Sequence, residues 1–324
     1  MAETEPSHLT ESHLNRVADG LEPLDLTESD ELASLLTSAR DLGIAHQVPT
    51  RYFSRNTVVR HERLHFLEWG DPSAPPVVLL HGVNQSSHAW DLVSLHLSDR
   101  YHVYAIDQRG HGDSEWTRDQ NYSRGAMAAD ALAFMAQQRI EHPIIIGHSM
   151  GGGVTMQIAL ERPELPRAVV FVDIAPVRTG EGGREIRDFM RANIEFDHIE
   201  DFIENVRKYD PFRSLEHIER TARYNLFRRF DGKLSAKSDR VLHEADRVRG
   251  PASEVTLDDV KVIACPALVV RGEHSNIVKP ADAQAFVEAL PNGHFAEVEK
   301  CGHNVHTQNT PGFLDALRPF LETV

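Results

Sequence analysis

Residues 144–153 read Ile-Ile-Ile-Gly-His-Ser-Met-Gly-Gly-Gly, and this stretch decides the fold. An apolar run of strand length meets a G-x-S-x-G turn, and a helix-forming run follows from Met150. Residues 150–160 are apolar nearly all round, which predicts a buried helix. A strand-to-helix turn this tight needs glycine on both flanks, at Gly147 and Gly151, and pushes the Ser149 hydroxyl out at the carboxyl end of a sheet. The helix N-terminus behind it offers free N–H groups and a positive dipole end, suited to an anionic intermediate. Ser149 is therefore the candidate nucleophile; the bland alternative is a close-packed turn with an inert serine.

Outward from this turn, short apolar runs alternate with helical stretches. Runs at 77–80, 103–107, 144–147, 169–174, 267–271 and 295–298 predict strands, and 57–60 with 64–69 predicts an opening hairpin. Met127, Ala131, Phe134 and Met135 share one helical face, and 280–290 and 312–321 complete the set. The alternation predicts an α/β fold with a mostly parallel central sheet covered by helices on both faces. Between Pro176 and Cys265 nothing reads as a strand. Helical segments at 184–193, 199–208, 215–230 and 236–248 fill a gap too long for a loop, so residues 177–262 are expected to form an inserted helical cap. The core is then 56–176 and 263–324. Residues 1–55 are expected to form an acidic extension, in which Ser29 caps a helix running to Leu42. Leu32, Leu35, Leu36, Ala39 and Leu42 make its apolar stripe, which would dock the arm on the core, contact another subunit or cover a site.

The 324 residues carry a formal charge of −15, of which −8 falls in the first 50. A negative chain repels phosphate backbones and anionic lipid surfaces, so neither nucleic acid nor membrane is an expected partner. No run spans a bilayer and no secretory signal opens the chain. Two cysteines are too few for a disulfide framework, and a cytoplasmic location is expected. No metal-ligand pattern and no phosphate or dinucleotide loop is present, so no metal and no cofactor are expected.

A serine hydroxyl needs a base. Of 19 histidines, His303 lies after the last predicted strand and before the terminal helix, on the same sheet edge as Ser149. That makes it the candidate base, with His306 a weak competitor. An oxyanion site needs two backbone N–H donors. Met150 follows the nucleophile and supplies one. Val83, in the loop His81-Gly82-Val83-Asn84-Gln85, is the candidate for the other, with His81 bracing that loop.

These motifs resemble the α/β-hydrolase fold family, in its epoxide-hydrolase-like or bacterial C–C hydrolase and esterase branch. The residues that carry the resemblance are His81-Gly82, the D-x-R-G-x-G-x-S loop at 107–114, 147–152, 173–176, Arg271-Gly272-Glu273 and Gly302-His303. It covers roughly 57–324. Epoxide hydrolases and haloalkane dehalogenases of this fold use an Asp nucleophile. Ser149 at that position implies acyl transfer to serine and then to water.

The sequence departs from the family at the acid of the triad. Relatives place an Asp after the seventh strand, where this chain reads Gly272-Glu273-His274-Ser275-Asn276. The expected Asp is Ser275. The fold's second place for the acid, after the sixth strand, holds Asp173. Asp173 is the first choice, with Ser275 as a hydroxyl orienter and Glu273 as alternatives. Asp107 and Arg109 are read as loop braces and Gly110 and Gly112 as carriers of unusual backbone angles. Trp90 and Trp116 line the pocket or pack in the core. In the family's strand order Cys265 and Cys301 sit at opposite ends of neighbouring strands, roughly 20 Å apart, which implies two free thiols.

The reading is a serine hydrolase of a carboxylic ester, lactone or thioester of a small to medium apolar substrate. Its rivals are a C–C bond hydrolase or cofactor-independent oxygenase on the same residues, and a non-catalytic small-molecule receptor. A small molecule is the expected partner, and homo-oligomerisation stays open.

Overall fold

A parallel strand covered on both faces must be largely apolar, and the inner strands here are. A computed structural model describes residues 23–48, 50–177, 179, 182–192, 194–243 and 255–324. Among them, nine strands form one sheet: β1 (Leu24–Asp25), β2 (Tyr52–Val59), β3 (Glu62–Trp69), β4 (Pro76–Leu80), β5 (His102–Ile106), β6 (Ile144–His148), β7 (Ala168–Val172), β11 (Ala267–Gly272) and β12 (Gly293–Val298). Their order is β1-β2-β3-β5-β4-β6-β7-β11-β12. The first three contacts are antiparallel and the rest parallel. Successive side chains supply opposite layers. Val77, Leu79, Ile144 and Ile146 enter one apolar cluster, while Val78, Leu80 and Ile145 enter another on the far side.

Eleven α-helices are described: α1 (Asp30–Asp41), α2 (Asp91–Leu97), α3 (Arg124–Gln137), α4 (Met150–Glu161), α5 (Gly183–Ala192), α6 (Ile199–Tyr209), α7 (Leu215–Asn225), α8 (Arg240–His243), α9 (Pro280–Ala289), α10 (Val305–Gln308) and α11 (Thr310–Leu321). Side chains of α1, α2 and α11 join one layer, and those of α3 and α4 cover the other face.

Two sequence expectations change. The inserted stretch is not wholly helical: β8 (Glu195–Phe196), β9 (Leu226–Arg228) and β10 (Leu234–Ala236) make a small antiparallel sheet. The helix expected over 215–230 ends at Asn225. Asp231-Gly232 then turns the chain, with Gly232 at φ +86° and Arg229 N–H bonded to the Lys233 carbonyl. Strands of two or three residues are too short to show a period. The end of the helix expected over 236–248 lies outside the described residues.

The extension expected to end at residue 55 does not end at an element boundary, because β2 runs through that position and pairs with β1. In α1, Ser29 Oγ accepts the Leu32 N–H, as the capping pattern anticipates. Leu32, Leu35 and Ala39 sit in the same cluster as Trp69, Trp90 and Val103. Residues 24–44 thus pack as part of the core's edge. Residues 1–22 of the expected extension lie outside those described.

Candidate active site

The parallel register brings the carboxyl ends of β6, β7, β11 and β12 side by side, and each loop leaving that edge carries at least one expected residue. Ser149 follows β6 and its N–H bonds the Val172 carbonyl of β7. Asp173 follows β7 and its N–H bonds the Val270 carbonyl of β11. Both residues hold left-handed backbone angles, with φ +50° at Ser149 and +49° at Asp173. For non-glycine residues this conformation is costly, and the surrounding structure must hold it in place. The glycines around Ser149 have no room for a side chain. A Cβ on Gly151 would lie 2.2 Å from the Leu80 carbonyl oxygen, and one on Gly147 would lie 2.3 Å from Thr155 Oγ1.

His303, from the loop between β12 and α10, lies between the other two. Its Nε2 is 2.9 Å from Ser149 Oγ and its Nδ1 is 2.6 Å from Asp173 Oδ2. Ser149 and His303 are 8% and 9% exposed and Asp173 is fully buried, so the carboxylate end of the chain is shut off from solvent. Ser275 contributes a hydroxyl that donates to Asp173 Oδ2 at 2.6 Å and accepts the Ile277 and Val278 N–H groups. Gly272 N–H donates to Asp173 Oδ1 at 3.3 Å. The loop that lacks the expected Asp therefore hydrogen-bonds the carboxylate that faces His303. Glu273 is exposed; its carboxylate accepts the Lys300 N–H and has no bond to His303.

Met150 follows Ser149 in the chain, and Val83 lies two residues beyond His81, whose carbonyl accepts the Gly151 N–H of the same turn. Neither backbone N–H has a protein acceptor among the described residues. Both side chains join the cluster that holds Ile186, Met190 and Leu242 from the inserted segment, so the wall there is apolar. His81 braces this loop. Its Nδ1–H donates to the Gly82 carbonyl and its Nε2 accepts the Gln108 N–H. Burial pushes its pKa down, against the pull of Asp107, which suits a neutral ring.

His306 does not touch Ser149. It stacks on Trp90 at 3.9 Å, and burial holds it well below the usual histidine range. Trp90 is fully buried in the core, whereas Trp116 is part-exposed and meets Phe227 edge-on. Asp107 accepts bonds from His65, Asp113 N–H and Ser87 N–H, and Arg109 pairs with Asp130. Gly112 is confined by that Asp107 carboxylate. His65, Asp107 and Asp113 form one carboxylate–imidazole group with metal-ligand spacing. Its atoms are already engaged with each other, with Ser54 and with Lys237. Cys265 and Cys301 are free thiols.

Some residues around Ser149, His303 and Asp173 fill no fixed position of a motif. His148 Nε2–H donates to the His303 carbonyl at 2.9 Å. Gln85, Asn304, Gln308 and the inserted segment's Asp210 complete a polar frame behind His303. Adjacency to His81-Gly82 and to His303 was the one sequence signal for Gln85 and Asn304, and Asp210 had none.

Known proteins share this arrangement of strands. An esterase of Mycobacterium tuberculosis is 28% identical over 306 residues, covering 92% of this chain and 98% of the esterase. Its crystal structure superposes with a TM-score of 0.73 at 25% identity, over 92% of this chain and 99% of that one. The structure of an E-2-(acetamidomethylene)succinate hydrolase matches with a TM-score of 0.74 at 25% identity, over 84% and 100%. Residues 77–316 match the family described as the alpha/beta hydrolase family. With that match over most of its length, and with relatives named esterase and hydrolase, the chain belongs to the alpha/beta hydrolase family and is a hydrolytic enzyme.

Proposed function

We propose that the protein hydrolyses a carboxylic ester, lactone or thioester of a small to medium apolar substrate through an acyl-enzyme on Ser149. One observation carries the reading: the unbroken chain Ser149 Oγ, His303 Nε2, His303 Nδ1, Asp173 Oδ2, with steps of 2.9 and 2.6 Å. Ser149 Oγ attacks the carbonyl carbon while its proton moves to His303 Nε2. The buried Asp173 carboxylate fixes the tautomer with Nδ1 protonated and stabilises the imidazolium that forms. The Val83 and Met150 N–H groups receive the oxyanion. His303 then protonates the leaving oxygen or sulfur, and the bond to the carbonyl carbon breaks. Water, deprotonated by the neutral His303, attacks the acyl-enzyme and releases the acid and free Ser149. The apolar wall of Val83, Met150, Met190 and Leu242 favours an apolar acyl or alcohol group.

A panel of p-nitrophenyl esters from acetate to octanoate tests the reading, beside a thioester, an amide and a β-diketone. Turnover of esters or thioesters, abolished by Ser149→Ala, is the expected result. Cleavage of the β-diketone alone would favour the C–C hydrolase reading, and no turnover by folded protein would favour the receptor reading.

A further inference from the structure

Two chains of side-chain amides run from backbone donors in the candidate catalytic loops and end on one buried carboxylate of the inserted segment. In the first, Gly82 N–H donates to Gln85 Oε1 at 2.9 Å, Gln85 Nε2 donates to Asn304 Oδ1 at 3.2 Å, and Asn304 Nδ2 donates to Asp210 Oδ2 at 3.3 Å. In the second, Gly302 N–H donates to Gln308 Oε1, and Gln308 Nε2 donates to Asp210 Oδ1. Gly82 precedes Val83, the candidate oxyanion donor. Gly302 and Asn304 flank His303.

Amide side chains can turn over, but backbone N–H groups cannot. Each chain therefore has a fixed direction, set at Gly82 or at Gly302, and both deliver a donor to the point where they meet. Only a group that accepts on both sides satisfies that point, and an ionised carboxylate does so. An asparagine there would oppose one of its own N–H groups to an incoming donor. Turning the amides back along either chain ends with a side-chain N–H against the Gly82 or Gly302 N–H, and at Gln85 also aims one at His148 Nδ1, which now lies 3.2 Å from Oε1. Asp210 is 1% exposed, so the conflict cannot be relieved by solvent. Asp210 ends α6, and its own N–H is held by the Val206 carbonyl. Burial pushes the Asp210 carboxyl above its ordinary value, against the pull of Arg213 and of the Gln308 and Asn304 amides.

We infer that Asp210 is a positioning residue that couples the seating of the inserted segment to the alignment of the oxyanion loop and of His303. This rests on the reading of Ser149 and His303 as nucleophile and base. Misplacement of catalytic groups by a fraction of an ångström costs about 10–100-fold in rate without weakening ground-state binding.

The test uses the full chain and compares wild type with Asp210→Asn, Asn304→Asp and the double variant carrying both. The reciprocal swap restores every donor to an acceptor, with the amide at 210 accepting from Gln308 and donating to the carboxylate at 304. Expected for Asp210→Asn is a fall of about 10–100-fold in kcat and in the rate of Ser149 labelling by a fluorophosphonate, with KM within about twofold. Expected for the swap is recovery of most of that loss. Gln308→Met, which cuts only the Gly302 arm, gives a second route should Asp210→Asn not fold, with a fall of about tenfold expected. Wild-type rates in Asp210→Asn or Gln308→Met, a swap no better than the single change, or a rise in KM in place of the loss of kcat would overturn the role of Asp210 while leaving Ser149 in place. Wild-type protein that does not label at Ser149 would overturn the underlying reading and the role of Asp210 with it.

Discussion

Asp173→Asn changes one atom of a fully buried side chain, and the structure says how the new amide must sit. Oδ1 of Asp173 accepts the Gly272 N–H, and Oδ2 faces His303 Nδ1 and the Ser275 hydroxyl. The Gly272 N–H cannot turn away. The amide oxygen therefore stays there, and the NH2 group faces His303. An N–H opposite Nδ1 selects the imidazole tautomer protonated at Nε2. That proton points at Ser149 Oγ, and the ring can no longer accept the serine proton. The reverse orientation opposes two N–H groups and costs about 1–3 kcal/mol, so roughly 1–10% of molecules hold it. Even those lack the charge that stabilises imidazolium. Together these effects predict a loss of about 10²–10⁴ in kcat, or about 3–5 kcal/mol of transition-state stabilisation. Ser275→Ala removes one donor and leaves the carboxylate bonded to His303 and Gly272, so its cost stays below about tenfold. The assay is kcat on a chromogenic ester, with thermal melting to show that each variant folds. Asp173→Asn within tenfold of wild type, or Ser275→Ala the more damaging of the two, would refute the assignment of the acid.

Leu35→Ala in α1 is expected to cost about 2–5 kcal/mol in urea unfolding, because Leu35 is 1% exposed within the main cluster; a cost under 1 kcal/mol would return the helix to the status of a loosely docked arm. Gly151→Ala is expected to abolish fluorophosphonate labelling, since its methyl group meets the Leu80 carbonyl oxygen; retained labelling would show that the turn has slack. Glu68 sets an acid-side stability. Burial pushes its carboxyl up, but the His102 ring, Arg55 and Arg51 outweigh this and hold it at about 2. The stabilisation is present above the ordinary value of 4.5 and is lost as pH falls toward 2. Glu68→Gln should therefore cost up to about 3 kcal/mol at pH 6, with the gap to wild type closing near pH 2; urea midpoints at the two pH values decide it.

The sheet was legible because a parallel strand buried on both faces is an unbroken apolar run, and 77–80, 144–147 and 267–270 are such runs. The turn at Ser149 was legible because sterics leave glycine no substitute at 147 and 151. The acid was legible only as a choice among three residues. Asp173 and Ser275 lie 102 positions apart, and what separates their roles is which of them reaches His303. The stripe of α1 was visible, but not the surface that receives it, since Trp69 and Trp90 belong to other elements. Asp210 could not be read at all. Its partners Asn304 and Gln308 lie 94 and 98 positions away, and no local pattern marks a carboxylate that two distant amides will need.

The central claim is that Ser149 is an activated nucleophile. Wild type and Ser149→Ala should be treated with a fluorophosphonate probe and the adduct mapped by mass. The geometry of Ser149, His303 and Asp173 predicts a single adduct on Ser149 that forms in wild type and is absent from the variant. A folded wild-type protein that stays unlabelled, or an adduct that persists in Ser149→Ala, would contradict it.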